Sequence, residues 1–413
     1  MKILWLSHLV PYPPKGGVLQ RSYHLLRELA RDNEVELMAF IQQDLMVRRF
    51  PSIEQGLREA HIALLEFCSG VTFFPIPSEQ YRYAKQALAL ASLATPVPYT
   101  VNWLRSSRFR DAVLARAPRG FDILHADTIS LVPYVDALPP MPSVLDHHNI
   151  ESHMMLRRAR IDRNWLHKAY FLQEGIKLQN YERLVGPRFG LHITCSGLDS
   201  ERLRSVSPNI RVEEIPNGVD LDYFQPRGGE EIANRLIFVG TLNWYPNRDA
   251  MIFFVDQVWP RLKAAIPDVS MDVVGESPPG TLLALAKSDP NFHVHGFVDD
   301  VRPYLHRASV YVCPISDGGG TKLKVLDAFA MAKPMVSHPV ACEGIAAQEG
   351  RHALFATSPD QWVAQVSALL GDAGLRRRIG QSARELVVER YSYRAIGGKL
   401  QQLYQGLVPT SGK

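Results

Sequence analysis

Two doubly wound α/β domains are predicted from three observations. Short apolar runs alternate with longer amphipathic stretches along the whole chain. The apolar runs lack strict alternation of polar and apolar residues, the pattern of parallel strands covered on both faces. A stretch with two prolines, three glycines and little periodicity, "VEEIPNGVDLDYFQPRGGEE" (212–231), falls near mid-chain and has linker chemistry. At 413 residues the chain suits two domains better than one. The expected boundaries are 1–212 for the first domain, 213–231 for the linker and 232–390 for the second. A C-terminal helix, about 391–408, is expected to pack back on the first domain.

In order, the first half offers strands at "KILWLS" (2–7), "VELMAF" (35–40), "DILHA" (122–126), "SVLDHH" (143–148) and "LHITCS" (191–196). Between the first two, Leu19, Tyr23, Leu26 and Leu29 keep helical spacing. The second half offers "LIFVG" (236–240), "SMDVVG" (270–275), "FHVHGF" (292–297), "SVYVC" (309–313), "PMVSH" (334–338) and "ALFA" (353–356). The stretch "RELVVERYSYRAIGGKLQQLYQGL" reads as helix interrupted near Gly397 and Gly398.

Composition narrows the function classes. The 46% hydrophobic and 21% charged content is that of a globular protein. A net charge of +4 is too weak to point to nucleic acid. Cys68, Cys195, Cys313 and Cys342 show no CxxC spacing and read as buried thiols in a reducing, cytoplasmic setting. The N-terminal "MKILWLSHLVPYPPKGG" has too short an apolar core for a signal peptide and reads as a first strand. "ALALASLATPVPYTV" (87–101), broken by Pro96 and Pro98, fits either a buried helix or one that touches a membrane surface.

The stretch "PISDGGGTKLKVLDAFAMAKP" (314–334) carries the most chemistry. In open α/β sheets ligands sit beyond the carboxyl ends of the strands, and Gly318, Gly319 and Gly320 follow such an end. Glycine lets backbone N–H groups approach an oxyanion. A helix starting near Thr321 aims its free N–H groups and positive dipole end at the same spot. Lys322 and Lys324 in its first turn are unfavourable for the helix alone and sensible beside a polyanion. Asp327, three residues past Lys324, shares its face and suits ribose hydroxyls. The combined reading is a nucleoside diphosphate site; a solvated turn with an ion pair is the plainer one. The Walker pattern and GxGxxG are both absent. Gly16 and Gly17, between the first strand and helix, fit either a second glycine loop or a plain helix entry.

The glycine pair after the first strand, "IPNGVDLDYFQP", "FVGTLNWYPNRDA", "GFVDDVRPYL" and "GGGTKLKVLDAFAMAKPMVS", taken in order, resemble the retaining GT-B glycosyltransferases of family 4. They are most similar to the sugar transferases of bacterial exopolysaccharide gene clusters. The resemblance spans nearly the whole chain. It implies two Rossmann-like domains, with a nucleoside diphosphate-sugar bound mostly to the second. Lys322 and Lys324 would then clamp the diphosphate and Asp327 the ribose. Gly296, Phe297 and Val298 would form the nucleobase-side loop, and Gly16 and Gly17 the N-terminal loop near diphosphate and acceptor. Two departures stand out. The family's Glu-x7-Glu pattern reads Gly319 and Asp327 here, and an Arg and Lys pair six residues apart reads Thr241 and Asn247.

Histidines complete the candidates. "HADTISLVPYV" (125–135) and "LDHHNIESHMMLRRAR" (145–160) put polar residues at strand ends. The resemblance implies that His148 lies near the reacting sugar. His125, Asp127, His147 and Glu151 are acceptor-side candidates, and "HNIES" also reads as a helix entry capped by Asn149. Neighbours on a strand face opposite ways, so only one of His147 and His148 can face the site. Asn247 reads as an N-cap, and Trp244 either stacks near the site or seals it. His147, His148 and His153 lack zinc spacing, no strand end carries DxD, and neither metal nor cofactor is expected. The expected partners are a nucleotide-sugar and a saccharide or lipid-linked saccharide. A peripheral membrane contact through 81–110 at the inner face of the cytoplasmic membrane is also expected, and no nucleic acid. A binding protein that has lost catalysis, or another GT-B chemistry such as an epimerase or phosphorylase, is the alternative.

Overall fold

The computed structural model describes residues 1–14, 17–162, 164–226, 231–318 and 321–408. The chain divides into two compact units. The first holds Met1–Pro216 and the segment from Ile396 on; the second holds Asn217–Ala395.

In the first unit, seven parallel strands lie in the order β3-β2-β1-β4-β5-β6-β7. They are β1 (Lys2–Ser7), β2 (Glu34–Ile41), β3 (Gly70–Pro75), β4 (Ile123–Ala126), β5 (Ser143–His147), β6 (Leu191–Thr194) and β7 (Val212–Glu214). Residues of β1 show why the strands read as unbroken apolar runs. Ile3 and Trp5 enter one core with Leu25, Leu26 and Leu37, while Leu4 and Leu6 enter a second with Phe40, Leu124 and Leu145. Both faces are covered, and each buried Leu or Phe contributes about 1.5–3 kcal/mol. The helices used below are α1 (Gly17–Leu29), α2 (Ala84–Leu93), α3 (Glu151–Ile161) and α4 (Trp165–Val185).

In the second unit, six parallel strands lie in the order β10-β9-β8-β11-β12-β13. They are β8 (Arg235–Val239), β9 (Ser270–Val274), β10 (Phe292–Gly296), β11 (Val310–Cys313), β12 (Met335–Ser337) and β13 (Leu354–Phe355). Helices α5 (Tyr245–Phe253), α6 (Leu323–Ala330) and α7 (Ala373–Arg390) pack around this sheet, and α8 (Tyr393–Gln405) follows. In each sheet the order reverses once, between β1 and β4 and between β8 and β11. Such a switch point opens a crevice at the carboxyl ends of the strands.

The structure corrects the sequence reading in three places. β3 lies at a sheet edge and is bounded by Gly70 and Pro75, so it carries breaker residues only an edge strand tolerates. β7 occupies Val212–Glu214 inside the stretch read as linker, pairing with β6. The last helix is not interrupted at Gly397 and Gly398. The break comes at Tyr391–Ser392, where Ser392 bridges to Val219. Gly397 is there for close approach: a Cβ would sit 2.4 Å from the Cβ of Glu28. From Ile396 the helix adds Ile396, Leu400 and Tyr404 to the first unit's core.

Candidate active site

Each switch point carries a cluster of ionisable side chains. In the first unit the cluster is built around Asp127, which follows β4 and is fully buried. Its carboxylate accepts from Ser7 Oγ at 2.7 Å, Ser22 Oγ at 3.2 Å, His8 Nδ1 at 3.2 Å and His148 Nε2 at 2.7 Å. Ser7 closes β1 and His8 follows it, Ser22 comes from α1, and His148 follows β5. Burial acts to raise the Asp127 carboxyl; the charge and hydrogen bond of His148, with those of His8, outweigh it and hold it well below the usual range. For His148 burial acts downward, and the Asp127 carboxylate wins and raises it. With Nε2 engaged, Nδ1 of His148 is the ring nitrogen left to meet a ligand. His8, Asp127 and His148 also offer metal-ligand atoms within 4.8 Å of one another. Asp127 hydrogen-bonds to both histidines.

One turn of strand earlier, Asp146 on β5 receives Arg21 from α1 through Nε at 3.1 Å and Nη2 at 3.0 Å. Arg21 Nη1 also donates to the Ile215 carbonyl at 2.7 Å. Both side chains are buried, so this bidentate pair fixes α1 against the strand ends.

His125 and His147 do not reach the acceptor side. His125 is fully buried, stacked on Trp5 at 3.5 Å between ring centroids, with Nδ1 2.5 Å from Tyr404 Oη of α8. Burial lowers it to about 4. His147 points into the opposite face of the sheet, where Nε2 lies 3.0 Å from His192 Nδ1, and burial holds it well below the usual histidine range. Both sit on strands, whose side chains enter the cores, whereas Asp127 and His148 lie just past strand ends. Glu151 opens α3, and Ile150, not Asn149, holds the cap position without a side-chain hydrogen bond. Burial raises the Glu151 carboxyl to about 7, with the His148 charge pulling it down. Gly17 is the first residue of α1; Gly16 lies outside the described residues.

In the second unit the site lies between the ends of β8 and β11. Gly318 takes φ +109°, a backbone only glycine adopts readily, and a Cβ there would press to 3.2 Å from Pro246. The rim of Trp244 lies beside the same point, and Tyr245 Oη donates to Asp317 at 3.2 Å. The start of α5 and residues Asp317 and Gly318 therefore form one wall. Gly319 and Gly320 lie outside the described residues. Thr321 is buried, and Lys322, also buried, is the N-cap residue of α6 rather than part of its first turn. Its Nζ donates to the Gly318 carbonyl at 2.7 Å, bracing the loop.

Lys324 does not pair with Asp327. Its Nζ donates to Asn247 Oδ1 at 2.6 Å and stands 5.0 Å from the Phe238 ring centroid. Asn247, in the first turn of α5, is 2% exposed and anchored by Nδ2 to the Thr241 carbonyl at 2.7 Å. The N-cap of α5 is Trp244, so Asn247 is a lysine support and not a cap. Gly240 makes room, since a Cβ there would fall 2.4 Å from Lys324 Nζ. Thr241 and Asn247 are the two positions where the resemblance leads one to expect cations. The ammonium of Lys324 enters that place from α6. Burial lowers Lys324 to about 8, and Lys322 adds to this. Burial raises Asp327 to about 8 against the pull of Lys324. The Asp327 carboxyl makes no hydrogen bond or ion pair among the described residues.

Gly296 ends β10 with φ +68°, followed by Phe297, 68% exposed, and Val298, packed on the core. These residues lie at the carboxyl end of the sheet's edge strand, three positions from β11. Sequence reasoning missed Ser7, His8, Ser22, Arg21, Asp146 and Gly240. The "SH" that ends the first strand carried a usable signal: the strand-end rule that found Asp127 and His148 applies to it equally.

Two doubly wound units of this topology define the GT-B fold. Residues 233–372 match the family model described as Glycosyl transferases group 1. Sucrose-phosphate synthase from Thermosynechococcus elongatus is similar over 98% of this chain and 99% of its own, at 15% identity and a TM-score of 0.67. HepE of Anabaena, in complex with UDP, is similar over 98% and 100%, at 14% identity and a TM-score of 0.63. TarM is similar over 98% of both chains, at 10% identity and a TM-score of 0.68. No curated protein matches the chain in sequence. At these identities the likeness to solved structures is one of fold.

Proposed function

We propose that the chain is a metal-independent, retaining glycosyltransferase. It moves a hexose-type sugar from a nucleoside diphosphate-sugar to a hydroxyl acceptor, in the assembly of a bacterial surface or exopolysaccharide. The observation that carries this reading is the unbalanced charge at the β8/β11 switch point, where Lys324 leans on neutral Asn247 and the Asp327 carboxyl has no partner among the described residues. Lys322 and Lys324 meet the charge that grows on the departing nucleoside diphosphate, the part a divalent ion plays elsewhere. Asp327, just behind them on α6, accepts from ribose hydroxyls. Phe297 offers an exposed ring to the nucleobase. His148, oriented by Asp127, whose carboxylate raises its pKa, donates from Nδ1 to the sugar or to the departing oxygen. Retention and the exopolysaccharide setting rest on the sequence resemblance. HepE structures in complex with UDP-glucose and with UDP and glucose support the donor class.

The acceptor is a saccharide, in this reading a lipid-linked one held at the cytoplasmic membrane face. The test is thermal stabilisation against UDP, GDP, ADP, CMP and their sugars, with and without magnesium. A shift with one nucleoside diphosphate that survives chelation is expected. A shift that needs magnesium removes the metal-independent mechanism. No shift with any nucleotide removes the donor site, and with it the reading.

A further inference from the structure

The segment first expected at the membrane is half-buried or exposed over most of its length but presents few large apolar side chains. Val101, Leu104 and Phe109 are buried, and among the large apolar and aromatic residues of α2 and its approach only Tyr81, Tyr83 and Leu90 stand exposed. The exposed apolar surface gathers elsewhere. Helices α3 and α4 form an antiparallel hairpin, packed so closely that a Cβ on Gly175 would fall 2.8 Å from the Leu156 side chain. The inner face of α4 buries Glu174, Leu178 and Glu182. Its outer face carries Trp165, Ala169, Leu172 and Ile176, spaced as one helical stripe and all exposed. Trp165 is 73% exposed, and beside it at the tip Leu166 and Ile161 are 56% and 55% exposed.

Charge accompanies this apolar tip. Residues 157–168 hold five basic residues and one acidic, in a chain whose net charge is only +4. Arg158 lies over the Phe171 ring at 4.6 Å, so its stem lines the apolar surface while its charge stays at the rim. The base of the hairpin is rigid: Lys177 Nζ donates to the Ser92 carbonyl at 2.7 Å, Gln173 to that of Leu93 at 2.9 Å, and Glu174 accepts from the Tyr99 amide at 2.8 Å.

We propose that the α3–α4 hairpin docks on an anionic lipid surface, with Trp165, Leu166 and Ile161 entering the headgroup layer and the arginines of α3 pairing with lipid phosphates. A tryptophan at a projecting tip, an aliphatic stripe and a cationic rim form the chemistry that such an interface selects. An acidic protein would match the charge but not the exposed tryptophan and aliphatic stripe. The proposal rests on the lipid-linked acceptor of the preceding reading, and gives it a surface.

The test is co-sedimentation of the full chain with vesicles of phosphatidylcholine alone, or with phosphatidylglycerol as about a third of the lipid. The tryptophan emission is read in parallel. Binding that needs phosphatidylglycerol and shifts the emission to the blue is expected. Trp165→Asp and Arg160→Glu should each weaken it about tenfold or more, while Leu283→Asp on the second unit leaves it unchanged. Unchanged melting temperatures would show that the variants fold. No preference for the anionic vesicles, or wild-type binding by Trp165→Asp, overturns the proposal. Vesicle binding combined with transfer only to water-soluble saccharides would instead refute the lipid-linked acceptor and leave the docking surface standing.

Discussion

The two switch points use buried charge in opposite ways. At β1/β4 every buried charge is matched: Asp127 takes four side-chain donors and Asp146 takes both arms of Arg21. At β8/β11 Lys324 rests on a neutral amide, and the Asp327 carboxyl, three residues away, has no partner among the described residues. Burying an ionisable group without its counter-charge is costly, and the group answers by shifting its pKa. The first cluster is therefore a finished framework that orients His148. The second leaves Lys324 without a counter-charge among the described residues, which is the feature the proposed donor site uses.

The sharpest way to break this contrast is stability. Arg21→Ala leaves Asp146 charged and buried, and should cost about 3–5 kcal/mol in denaturant unfolding. Lys324→Met removes a charge that burial already disfavours, and should leave stability unchanged or raise it. Equal losses would erase the distinction. Activity should run the other way. Lys324→Ala should lower turnover on the order of 10²-fold, because a transition-state charge contact is gone. A near-normal rate in steady-state assays would mean that the glycine stretch is not the phosphate site.

The pH dependence of stability sharpens the comparison further. Asp327 titrates near about 8 when folded and near about 3.9 when unfolded. Between these values the folded chain keeps a proton that the unfolded chain has lost, so this group's contribution falls as pH rises across the window. Lys324 titrates near about 8 folded and about 10.4 unfolded, so its contribution rises with pH only above about 8. Melting temperature against pH should show the fall in wild type and lose it in Asp327→Asn. A diphosphate favours charged Lys324, so binding near pH 8 should take up protons, which calorimetry in buffers of different ionisation enthalpy reads directly. The smallest effect belongs to Asn247→Ala. It frees the ammonium without removing it, and should weaken donor binding only several-fold, with turnover at saturation nearly unchanged.

How much of this was legible depended on distance along the chain. Eleven of the thirteen strands announced themselves as apolar runs, because burial on both faces writes itself locally. The two that did not, β3 and β7, are an edge strand with breaker residues at its ends and a three-residue strand in a stretch rich in turn formers. Lys322, Lys324 and Asp327 were found through their neighbours on one loop and helix. The engagement of Lys324 by Asn247, across 77 residues, was not legible: an i,i+3 ion pair is the local expectation, and the sheet brings a better partner. The histidines followed the same rule. His125 and His148 look alike in sequence, but one lies on a strand and the other just past one. A single residue of register sends a side chain to a core or to a site.

The course of α8 sets the order in which the molecule can be completed during synthesis. Tyr404 closes over His125, and Ile396 and Leu400 fill the same core, whose other elements, the last of them at Ile215, were made some 180 or more residues earlier. A ribosome that has reached Ala395 has delivered the whole of the second unit and left the first without its last wall. The usual order, in which the N-terminal domain folds first as it emerges, is inverted here. The first unit is the last to be sealed, and a chain cut short before Ile396 keeps the whole of the second unit while the framework around Asp127 loses one side of its core.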